Sequence, residues 1–92
     1  MLSLEWDEAK RASNLRKHKI DFDDPTELFE GELYTKMDVR FDYGETRFVT
    51  FGVLDGEILA VAHTENESVI RVISARRANR HEQKEYFEKI RD

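Results

Sequence analysis

Apolar positions change their rhythm at Glu32. Before it, Asp7 can cap a helix whose first turn holds Glu8 and whose last turn gathers Lys17, His18 and Lys19, the charge order that a helix dipole favours. That predicts a helix over 8–18. Asp24-Pro25-Thr26-Glu27 supplies a cap, a proline at the first helical position and a capping-box acid, and Gly31 offers a stop. A short second helix over 25–30 follows. From Glu32 the segments Leu33 to Phe41, Thr46 to Leu54, Glu57 to Thr64 and Val69 to Ala75 are rich in β-branched and aromatic residues and are separated by turn chemistry. They read as four strands. Asp55-Gly56 is the strongest hairpin signal, and Tyr43-Gly44 and Glu65-Asn66 mark looser turns on either side. Asn79 with Glu82 repeats the capping logic, and Tyr86, Phe87 and Ile90 share one helical stripe, which predicts a last helix over about 80–91.

The expected fold is α+β: two N-terminal helices, a four-stranded mostly antiparallel sheet and a C-terminal helix in one domain spanning 1–92. On the second strand Phe48 and Leu54 lie on one face and Val49, Phe51 and Val53 on the other, so each face needs cover from helices or a partner. The chain has 92 residues, 39% of them hydrophobic, which suits one modest core and is too apolar for a disordered chain. The longest apolar run, Ile58 to Ala62, is far short of the roughly 20 residues a bilayer-spanning helix needs, and no signal-like stretch follows Met1. A cytoplasmic protein without membrane association is expected. The absence of cysteine excludes disulfides, thiolate metal sites and cysteine nucleophiles.

A net charge of −5 argues against a protein that coats nucleic acid through its overall charge. The sum conceals a gradient, since residues 1–30 and 31–66 are both acidic while 67–92 carry a net +2. Arg71, Arg76, Arg77 and Arg80 make that last segment the natural dock for phosphate. In an ideal strand Arg71 and Arg77 share a face and Arg76 takes the other, although the parity can break where the strand ends. Arg47 offers the same guanidinium chemistry from the start of the second strand. The rival reading pairs these arginines with surface acids.

His63 is the proton-transfer candidate, with a buried structural histidine as its rival. His18 sits at a helix C-terminus, where its charge is favourable for local reasons alone. Lys10, Asn14 and His18 follow at steps of four, a ridge that faces either a ligand or solvent. Tyr86 either donates to a phosphate or packs the last helix on the sheet. The three histidines show no metal-ligand spacing and the glycines form no phosphate loop, so neither metal nor cofactor is expected.

Read together, Leu4-Glu5-Trp6-Asp7 with Lys10, Asn14-Leu15-Arg16-Lys17-His18, Asp21-Phe22, Glu45-Thr46-Arg47-Phe48 with Gly52, and His63-Thr64-Glu65 form an ordered series. It ends in Ile70-Arg71-Val72-Ile73-Ser74-Ala75-Arg76-Arg77-Ala78 with Glu82 and Tyr86. This series, spanning nearly the whole chain, resembles the BrnT-type toxins of bacterial toxin–antitoxin modules. The resemblance implies a variant of the RelE-type ribonuclease fold and metal-independent RNA cleavage. It further implies silencing by a BrnA-like ribbon-helix-helix antitoxin in a hetero-oligomer, with operator DNA bound only through the antitoxin. On this reading Arg71, Arg76, Arg47 and His63 are the catalytic candidates, and Arg77, Lys10, Tyr86 and His18 bind substrate. Ribonucleases of this broad class are commonly basic. The acidic balance therefore supports an alternative, a weakly active or non-catalytic toxin fold that serves mainly as antitoxin partner and co-repressor.

Overall fold

The computed structural model describes residues 3–22, 25–39, 44–66 and 68–91. Its elements in order are β1 (Ser3–Trp6), α1 (Glu8–His18), α2 (Pro25–Leu28), β2 (Tyr34–Asp38), β3 (Arg47–Leu54), β4 (Glu57–Asn66), β5 (Val69–Arg77) and α3 (Arg80–Ile90). The sheet runs β1-β5-β4-β3-β2, antiparallel except that β1 lies parallel to β5. The fold is thus α+β with a five-stranded mixed sheet, one strand more than the periodicity predicts. β1 is four residues long and draws its order from β5, too short a run to announce itself.

Local chemistry explains most boundaries. Asp7 caps α1 by accepting from the Lys10 amide at 3.2 Å, and Lys19 closes it in the left-handed conformation at φ 62°. Asn79 and Glu82 form the reciprocal capping box of α3. Asp55 and Gly56, both at positive φ, make the tight β3–β4 turn whose twist suits a two-residue hairpin. α2 is a single turn, shorter than 25–30, and the predicted Asp24 cap and the far end of the Leu33–Phe41 strand lie outside the described residues. β4 continues through Asn66, so the turn signalled at Glu65-Asn66 falls later, at Ser68.

Helices pack on both sheet faces, as their apolar content requires. On one, α1 and α2 enclose Ile20, Phe22, Leu28, Leu59, Val61, Val72 and Ala75. Leu28 sits so close over β3 that a Cβ on Gly52 would meet its side chain at 2.8 Å and would have to displace it. On the other face α3 brings Tyr86 onto Phe51, Ile58 and Ala60. α1 has little apolar surface of its own and buries only Asn14. The Asn14 amide donates to the carbonyls of Ile20 (3.0 Å) and Ala75 (2.9 Å) and accepts from the Ala75 amide (3.1 Å). β1 pairs β5 only as far as Val72, so this amide takes the place of a continuing strand for Ala75. Among the described residues no helix is long and apolar enough to cross a membrane.

Candidate functional site

A register shift in β5 decides which arginines share a face. Ala62 pairs Ser74 while the next residue, His63, pairs Val72, leaving Ile73 as an extra residue in β5. Such a bulge reverses the in-out parity on its two sides. Accordingly Val72 and Ala75, three residues apart, enter the same core. Arg71 lies opposite Thr64 and Arg76 opposite Ala60, two positions of equal parity on β4, whereas Arg77 lies opposite Leu59 on the other face. Arg71 and Arg76 are therefore together and Arg77 is apart, the reverse of the ideal-strand expectation.

The face shared by Arg71 and Arg76 is the one α3 covers, and α3 packs over only part of it. Beyond α3 a row of side chains crosses all five strands. Glu5 on β1 pairs Arg71, Arg71 pairs Thr64, and Asp38 pairs Arg47 on β3. Arg47 stands one residue before Phe48, the partner of His63, and so is level with Thr64. Two arginines thus flank a threonine, about 10 Å apart at their backbones by the usual strand spacing, with an acid at each end of the row. Arg47 is half-buried, its Nε lying 3.7 Å from Glu45 Oε1. Next to the row a cleft of about 310 Å³ opens between sheet and α3, lined by Lys36, Asp38, Val49, Phe51, Arg76 and Glu82.

Within the cleft Arg76 makes a bidentate pair with Glu82, both bonds at 2.8 Å. The guanidinium, helped by the Asn79 amide, holds the Glu82 carboxyl below its ordinary pKa despite opposing burial. Lys36 donates to Glu85 at 2.9 Å, and Tyr34 donates to the same carboxylate at 3.2 Å. These bonds lower the Glu85 pKa as well. Arrays of this type present planar donors to phosphate oxygens while acids keep the empty site neutral. Among the described residues no three His, Asp or Glu side chains converge as a metal site.

The remaining sequence candidates lie elsewhere. His63 is fully buried on the α1/α2 face, stacked on Phe48 and edge-on to Phe29. Its Nε2 shares a 2.6 Å hydrogen bond with Thr50 Oγ1, which in turn bonds Thr35 at 2.7 Å. Burial lowers its pKa, against a smaller opposing pull from Glu65. The ring is fully enclosed and lies on the sheet face opposite the arginine row. Arg77 pairs Glu57 at 3.1 Å and donates to the His18 carbonyl at 3.0 Å, tying β5 to the end of α1. Lys10 and His18 belong to α1 on the far side of the sheet, and Asn14, their neighbour on the predicted ridge, points inward. Tyr86 is buried and its hydroxyl donates to the Glu32 carbonyl at 2.9 Å, the packing role; burial raises its pKa. Lys36, Asp38 and Glu82, by contrast, line the cleft without having stood out as site residues in the sequence. Lys36 and Asp38 sit in a mixed segment with no motif, and Glu82 was legible as a cap and as a member of the family-like series, without a site role.

Comparison with known proteins follows the same lines. The family described as the ribonuclease toxin, BrnT, of type II toxin–antitoxin systems matches residues 6–82. Among solved structures, the Brucella abortus ribonuclease toxin BrnT superposes with a TM-score of 0.65 at 31% identity, covering 87% of this chain and 100% of that one. No curated protein matches.

Proposed function

We propose, from the premise that this chain belongs to the family of BrnT ribonuclease toxins of type II toxin–antitoxin systems, that it is a cytoplasmic, metal-independent endoribonuclease whose site is the arginine row with its adjoining cleft. The observation that carries the reading is the β5 bulge, which brings Arg71 and Arg76 onto the open face with Arg47 and Lys36. The ribose 2′-oxygen attacks the adjacent phosphorus, its proton passes to a carboxylate at the cleft, Asp38 or Glu82, and the 5′-oxygen leaves with a proton from solvent. The products are a 2′,3′-cyclic phosphate and a 5′-hydroxyl. Arg47 and Arg71 stabilise the charge that develops on the phosphorane. A ribbon-helix-helix antitoxin silences the enzyme, and the pair represses its own operon through the antitoxin's DNA contacts.

Arg71→Ala should slow RNA cleavage by about 10² to 10³ with the thermal midpoint held, and cleavage by wild type should survive chelator. Equal rates in a folded Arg71→Ala protein would refute the site. The Arg76–Glu82 pair favours a second reading, a weakly active toxin fold, because this guanidinium already has a carboxylate on both amino groups. The same measurement decides it: no cleavage by wild type selects the binding protein.

A further inference from the structure

We propose that the outer face of α3, with the groove beside it, anchors an acidic amphipathic segment of the antitoxin, at a surface separate from the arginine row; this rests on the toxin–antitoxin reading above. Between the β3–β4 hairpin and α3 lies a groove of about 550 Å³ whose apolar wall includes Val53, Ile58 and Phe87. Val53 is 45% exposed and Phe87 49%, though each stands beside a neighbour that is well packed. Along α3 the residues Arg80, Lys84, Phe87 and Arg91 follow at steps of four, three and four, so they form one stripe facing away from the buried Tyr86. None of these three cations makes a hydrogen bond or ion pair among the described residues. Arg80 stands in the first turn, where a positive charge opposes the helix dipole.

A phenylalanine inside an unpaired basic stripe, beside a groove whose wall is partly apolar, matches a segment with aliphatic side chains on one side and carboxylates beside them. RNA would satisfy the cations and leave the groove between Val53 and Phe87 unfilled, so a protein segment fits better. Glu82, facing the catalytic cleft, and Phe87 lie on opposite flanks of α3. An occupant of the groove consequently leaves the arginine row uncovered, and anchoring is separable from blocking.

The test uses the whole protein and the protein encoded by the reading frame adjoining its gene. Phe87→Asp and the double variant Arg80→Glu, Lys84→Glu should each weaken binding about tenfold or more and release RNA cleavage from inhibition. Cleavage by the free variants should stay within about twofold of wild type and their thermal midpoints should hold. Binding within about twofold of wild type in both variants overturns the anchor, as does failure of the wild type to bind that protein. If the variants lose cleavage and keep their partner, the stripe belongs to RNA and the proposal falls. Because binding is read apart from cleavage, an inactive wild type that still binds through Phe87 would sink the ribonuclease reading alone.

Discussion

Two buried polar side chains bear more on stability than their small number suggests. Asn14 fills the strand-like gap beside Ala75 with three hydrogen bonds, and an apolar replacement strands an amide and two carbonyls out of water. Asn14→Ala should therefore cost about 2–4 kcal/mol, measured by denaturant unfolding, against a few tenths for an exposed neighbour such as Ser13→Ala. His63 makes stability depend on pH. Its native pKa is lowered by burial, and no hydrogen bond reaches Nδ1, with Glu65 Oε1 3.6 Å away. The unfolded chain takes up a proton near the ordinary histidine value of about 6.5 and the native state resists it. The contribution is thus whole above that pH and is lost as pH falls through it, with Glu82 adding a second loss below the ordinary glutamate range. The thermal midpoint should drop between pH 7.5 and about 5.5, and His63→Leu should flatten that slope; an unchanged slope would place the titration elsewhere.

Elements were legible in the sequence where a residue carries its own local reason. Asp7, Asn79 with Glu82, and Asp55-Gly56 act within a few residues of themselves, and there the expected and observed boundaries agree. Features that depend on distant partners were not legible. β1 exists because β5 offers an edge, and the bulge at Ile73 reconciles two cores that need Val72 and Ala75 on one side. The site inherited that blindness: three of its arginines were visible, but which of them meet was settled by one extra residue in β5. α1 deviates as well, since its cap uses a lysine where glycine is cheapest. Lys19 holds φ 62°, a left-handed conformation that costs a side-chain-bearing residue about 1–2 kcal/mol. Lys19→Gly should raise stability by about 0.5–1 kcal/mol in chemical denaturation, the gain trimmed by the entropy glycine adds to the unfolded chain.

At the scale of the whole molecule, the proposed ribonuclease sets a net charge of −5 beside a local group of cations. Long-range attraction to a polyanion is weak, so on that reading RNA binding would rely on contacts made by Arg47, Arg71, Arg76 and Lys36. Three or four neutralised phosphates give a log affinity against log salt slope of about −2 to −3 for single-stranded RNA. Titrations between low and physiological salt read that slope, and a much steeper one would mean a footprint wider than this face. The parallel pairing of β1 with β5 has a temporal side too. Among the described strands β1 is completed by the distant β5, and Arg71 and Arg76 stand on β5. During synthesis β1 has no neighbour until residues 69–72 have left the ribosome, and the arginine row lacks Arg71 for as long. A chain halted anywhere before Val69 leaves β4 as a bare edge and carries no assembled site. On the proposed reading, cleavage is thus withheld from every copy whose β5 is still unmade.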